Sequence, residues 1–107
     1  MVRAIAVLKK RPDLTFEQFV DHWRNVHAPL ALAIPGVVKY VQSPRLSDAA
    51  NPRPPAADGL AEIWFENLET YRAGFSTPQA SALLSDEVNF LDLDNTIRSF
   101  VQEIEIV

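Results

Sequence analysis

The chain has 107 residues, 48% of them apolar, a net charge of −4 and a pI near 5.0. That acidity leaves no basic patch to neutralise phosphates, which argues against nucleic acid and anionic membranes as partners. Cysteine is absent, excluding disulfides, thiolate metal sites and a cysteine nucleophile, and the length fits a single domain over 1–107.

The opening run MVRAIAVLKKRPD holds only five consecutive apolar residues, far short of a membrane span. A soluble, cytoplasmic protein is the expectation. Residues 2–8 are rich in β-branched side chains and alternate loosely, predicting a first strand that KKRPD closes. Thr15 and Gln18 have the spacing of a capping box, so a helix starts there and runs to about Val26 or beyond. Pro35-Gly36 is a turn, and 37–43, VVKYVQS, is a second strand. Residues 44–58 contain four prolines and no regular period, predicting a mobile loop. GLAEIWFE, 59–66, is a third strand. Asn67 caps a short helix, LETYRAGF. Thr77-Pro78 starts another that continues to about Phe90. SFVQEIEIV, 99–107, alternates and forms the last strand.

The order is βαββαβ, an α+β, ferredoxin-like arrangement with a four-stranded antiparallel sheet and both helices on one face. The other face is left bare, and neither alternation of the last strand is purely polar. A domain this small should not leave a partly apolar sheet in water, so a homodimer packed sheet to sheet is expected.

On a helical wheel Phe16, Phe19, Val20, Trp23, Val26 and Leu30 fall within about 120° of one another. His27 lands inside that stripe, one turn after Trp23, and His22 lands at its polar edge. Pro29 removes a helical hydrogen bond, so the helix must bend or restart beside His27. The plain alternative is a core histidine satisfied by a backbone carbonyl. On the second long helix Ala80, Leu83, Leu84, Val88 and Leu91 form a stripe with Glu87 in its middle and Asp86 at its edge. A break at Ser85 would instead put both acids in a first turn, where helix-terminal amides favour them. Either carboxylate facing the sheet could meet His27 and orient it for acid–base work; otherwise the two acids are a solvated helix end. His22 and His27 stand about 140° apart on a helix, so they form no zinc pair. With three glycines there is no phosphate loop, and no flavin, nicotinamide or haem signature appears. No metal or cofactor is expected.

LKKRPDLTFEQFVDHWRNVHAPLALAIPGVVKYVQ, with its W-x-x-x-H-A-P followed by P-G, resembles the first half of the EthD family. DGLAEIWFENLETYRAGFSTP and ALLSDEVNFLD resemble the family's later D-G-h-A-E-h-W-F unit and its acidic stretch, although Leu84 and Ser85 replace small residues there. The resemblance implies a dimeric α+β barrel of two ferredoxin-like subunits. Its founding member belongs to a bacterial ethyl tert-butyl ether degradation cluster, and relatives in fungal polyketide pathways are linked to cofactor-free dehydration or decarboxylation. Trp23, His27 and Asp86, with Glu87 beside it, occupy the family's motif positions; His22 stands where an aromatic is common.

The leading expectation is a small cofactor-independent enzyme acting on a hydrophobic, aromatic or polyketide-like molecule by dehydration, decarboxylation or isomerisation. His27 is the acid or base and Asp86 or Glu87 its orienter. Trp23, Tyr40, Trp64 and His22 are the substrate-binding candidates. The alternatives are a non-catalytic small-molecule-binding accessory protein of a degradation or oxygenase pathway, and a haem- or oxygen-handling relative.

Overall fold

The computed structural model describes residues 1–46 and 55–107. Four strands, β1 (Val2–Leu8), β2 (Lys39–Pro44), β3 (Gly59–Phe65) and β4 (Ile97–Gln102), form one sheet in the order β2-β3-β1-β4. All three neighbouring pairs are antiparallel. The α+β, ferredoxin-like expectation holds, with the helical path more broken than predicted. Helix α1 (Phe16–His22) passes into a π-helical turn (Trp23–His27) and then into α2 (Ala28–Leu32). Helix α3 (Leu68–Gly74) and helix α4 (Pro78–Asp86) follow β3, and a 3₁₀ turn (Glu87–Asn89) extends α4.

Local chemistry explains the helix starts. Thr15 accepts from the Gln18 backbone N–H while the Gln18 side chain accepts from the Thr15 N–H, closing the capping box. Asn67 caps α3 and Thr77 caps α4, with Pro78 where a missing N–H costs nothing. Gly36 has φ +88, the left-handed region the Pro35-Gly36 turn requires.

The register divides the sheet into two faces. Ala4, Ala6, Leu8, Tyr40, Gln42, Ala61, Ile63, Phe65, Arg98 and Phe100 share the helix side. Ile5, Val7, Val41, Leu60, Trp64, Ile97 and Val101 share the other, together with an Arg3–Glu62 ion pair at 2.7 Å. Two buried clusters lie between sheet and helices. One is built on Ile34, Phe65 and Leu83, the other on Phe19, Trp23 and Phe90.

Several sequence expectations need correction. Val26 is exposed although the wheel places it in the apolar stripe, because the π turn changes the phase of the helix there. Leu84 and Val88 are likewise exposed, while Glu87, in the 3₁₀ turn that follows Asp86, is buried. The last strand starts at Ile97 and stops at Gln102, where its pairing with Val2 ends. Pro44 pairs with Gly59, the Arg45 N–H donates to the Asp58 carbonyl at 2.9 Å, and Asp58 is buried. The ends of the proline-rich segment are therefore fastened to the sheet, while its middle, 47–54, lies outside the described residues. Among the described residues no helix is long and apolar enough to cross a membrane.

Candidate functional site

Pro29 has no N–H to continue an α ladder, and its ring crowds the preceding turn. The chain widens in response: the Ala28 N–H reaches back five residues to the Trp23 carbonyl. Gln42 of β2 donates its side-chain amide to that same carbonyl at 2.7 Å, holding the wide turn onto the sheet. Single π turns of this kind are often found at functional sites. Gly59 lies beneath the Trp23 ring, and a Cβ there would stand 2.7 Å from it.

The wide turn brings both histidines to one carboxylate. His27 Nδ1 lies 2.8 Å from Asp86 Oδ2, and His22 Nε2 lies 2.9 Å from Asp86 Oδ1. Asn89 Nδ2 donates to Oδ1 at 3.0 Å. Phe90 packs against both imidazoles, with centroids 4.9 Å from His22 and 4.7 Å from His27. Asp86 is the carboxylate hydrogen-bonded to His27. Glu87 instead binds Arg98 of β4 at 2.6 Å. Asp86 sits in the last turn of α4, and of the two acids only Glu87 lies in a first turn, that of the 3₁₀ segment that follows. A helix C-terminus disfavours a negative charge, and the histidines and Asn89 compensate for it.

Burial is the largest influence on His27 and lowers its pKa, against the opposing pull of Asp86. For Asp86 burial acts to raise the pKa, but hydrogen bonds from Asn89, His27 and His22 outweigh it and leave it lowered. An ionised carboxylate only accepts, so His22 Nε2 and His27 Nδ1 are the donors. In neutral His27 that leaves Nε2 with a lone pair. No hydrogen bond to Nε2 is present among the described residues.

His27 lines a cavity of about 410 Å³ between the two buried clusters. Trp23, Tyr40, Leu83, Glu87 and Arg98 share its walls. His27, Glu87, Trp23 and Tyr40 therefore face one space, with Asp86 behind His27. Trp64 does not join them. It lies on the outer face of the sheet, flanked by the Arg3 and Lys39 cations, because its strand position alternates with Ile63 and Phe65. His22 is not at a solvated polar edge but bound to Asp86, outside the cavity lining. Asn89, Phe90, Gln42 and Arg98 escape the sequence analysis. Asn89 and Phe90 follow Asp86 by one turn, a spacing that could have flagged them; nothing local marks Gln42 or Arg98. Among the described residues no group of three or more His, Asp or Glu is disposed to hold a metal ion.

The strand order and helix placement define a ferredoxin-like α+β domain. Residues 11–94 match the model of the EthD domain, and the chain belongs to the EthD family. It is 29% identical over 72 residues to an uncharacterised 11.0 kDa protein of Rhodococcus erythropolis from the thcB-thcC intergenic region, covering 67% of this chain and 68% of that one. The crystal structure of an EthD family protein from Bacillus halodurans is similar, with TM-score 0.80 and 22% identity over 97% of this chain and 99% of that one. So is a dimeric ferredoxin-like protein of unknown function from Bacteroides fragilis, with TM-score 0.68 and 12% identity over 95% of each chain.

Proposed function

We propose that this protein is a small enzyme that binds a hydrophobic molecule in the cavity and moves a proton with His27, without a bound cofactor. The observation that carries this is the Asp86–His27 hydrogen bond, which fixes the imidazole tautomer with Nε2 as the base on an apolar cavity wall. Asp86 stabilises the imidazolium formed when Nε2 takes a proton, and His22 and Asn89 hold Asp86 in place. The reaction class is dehydration, decarboxylation or isomerisation of an activated aromatic or polyketide-like substrate. A positioned base supplies about 10²–10⁴-fold in such steps. The protein acts as a homodimer joined through the outer sheet face; the apolar set on that face supports this, as does the dimeric relative from Bacteroides fragilis.

The test is a screen of hydroxylated aromatic and polyketide-like compounds, followed by His27→Gln. A folded variant that binds the turned-over compound but reacts at least about a hundredfold more slowly is the expected result. Full activity in His27→Gln would remove the acid–base role and leave a binding protein.

A further inference from the structure

Tyr40 is another polar residue on the cavity wall, beside His27, Glu87 and Arg98, and its hydrogen bonds constrain what it can do there. Gln42 Nε2 has two hydrogens. One goes to the Trp23 carbonyl at 2.7 Å and the other to the Tyr40 hydroxyl oxygen at 2.8 Å. Both amide hydrogens are spent, so the Tyr40 oxygen is an acceptor toward Gln42. Its own O–H must look elsewhere for a partner. None is present among the described residues, and the ring lines the cavity. Around it the lining is mostly apolar, including Ala4, Ala31, Ile63 and Leu83.

We propose that Tyr40 donates its hydroxyl hydrogen to an acceptor oxygen of the bound molecule, that Gln42 positions this hydroxyl, and that the ligands of the cavity are therefore apolar carbonyl compounds. This rests on the proposed use of the cavity for binding and adds to it the class of ligand. Burial, the largest influence, raises the Tyr40 pKa against hydrogen bonds from Gln42 and Trp23, so the phenol keeps the proton it donates. Gln42 serves both partners of the chemistry. Its amide holds the Trp23 carbonyl of the turn that carries His27, and the same nitrogen orients Tyr40. In a carbonyl ligand His27 Nε2 takes a proton from the carbon beside the carbonyl. The C–H electron pair becomes the new carbon–carbon double bond, and the carbonyl π pair moves onto oxygen. The Tyr40 O–H then hydrogen-bonds the enolate oxygen, and Asp86 faces the imidazolium.

The test uses a matched pair of probes, 2-acetylnaphthalene labelled with ¹³C at the carbonyl and its hydrocarbon isostere 2-isopropenylnaphthalene. Wild-type protein should bind the ketone more tightly than the hydrocarbon, and the bound carbonyl stretch should move to lower frequency. Tyr40→Phe keeps the ring and removes only the donor. It should weaken the ketone by roughly three- to tenfold, return the stretch toward its value in an apolar solvent, and leave the hydrocarbon affinity unchanged. Gln42→Leu should broaden or partly reverse the shift by freeing the hydroxyl to rotate. A ketone preference and carbonyl shift that survive in Tyr40→Phe would overturn the proposal, as would a shift lost in His27→Gln but kept in Tyr40→Phe. Binding of both probes with no preference sinks the Tyr40 donor alone. Binding of neither sinks the use of the cavity as a binding site, and the donor with it.

Discussion

Asp86 accepts from three side chains, and its removal leaves each of them without an acceptor. Asp86→Asn can satisfy one histidine but presents an N–H₂ toward the other. A loss of about 1–3 kcal/mol is expected for unpaired buried polar groups, measured by urea unfolding, together with loss of turnover. A double Asp86→Asn/His27→Gln variant should be little slower than either alone, because groups acting as a unit are not additive. His22→Gln should not be neutral: it removes one of the donors that hold Asp86. The acid side of the stability profile follows from His27. Its imidazole is harder to protonate folded than unfolded, so the unfolded chain binds more protons below its ordinary value of 6.5. Stability is therefore full above that pH and falls as pH drops through the window down to the depressed folded value. His27→Gln should flatten that slope in pH-dependent thermal melts. An unchanged slope would mean that His27 is not the group responsible. At this scale the inward His27 is legible from the wheel, and so is an acidic partner on the second helix. The role of His22 is not, because a wheel stepping evenly cannot register a turn widened by Pro29.

The elements are set by short-range signals at their starts and by long-range contacts at their ends. Thr15, Asn67 and Thr77 are read correctly because a cap depends on a few adjacent residues. The end of β4 is not, because Gln102 is last only where its partner Val2 begins the opposite strand. The side of Trp64 is legible in principle from alternation with Ile63 and Phe65, but only once one of those residues is known to face the helices. The contact between Gly59 and Trp23 offers a test of how tightly β3 supports the π turn. Trp23 is 1% exposed, and a Cβ on residue 59 would stand 2.7 Å from its ring. Gly59→Ala should cost about 1–3 kcal/mol by overpacking, with His27 displaced in the same variant as judged by its imidazole NMR shifts. A variant as stable as wild type would show that β3 and the π turn can separate without loss.

For the whole molecule the decisive feature is the sheet face without helices. Val7 lies on the central strand β1 opposite Leu60 and Ile97, on a face whose apolar residues are interspersed with the Arg3–Glu62 pair, Lys39, Ser43 and Ser99. Arg3 Nε is buried there without a hydrogen-bond partner among the described residues, a donor whose cost a second surface would relieve only by supplying an acceptor. Sedimentation of the wild type should give twice 12.0 kDa, and Val7→Glu should give a folded monomer, since a charge at that point is tolerated in water but not between two sheets. A monomeric wild type would end the sheet-to-sheet assembly. The strand order and the bare face are legible in the sequence because they follow from element order; the alternation read over 99–107 is not such a signal, since β4 ends at Gln102.

The five-residue interval between His22 and His27 also makes the site sensitive to chain length rather than to composition alone. In a regular α-helix side chains five apart diverge by about 140°, and only the wide turn lets both reach one carboxylate. Deleting a single residue between Trp23 and His27 would let a regular helix close and would put the histidines four apart. Everything beyond it would keep nearly its present phase, because four α-helical residues turn through about the same angle as five residues of the wide turn, and Ala31 and Ile34 would stay in the buried cluster they help to form. Substitutions at the exposed Arg24 and Asn25 should be absorbed with little effect, whereas losing either position outright would separate the fold from its site.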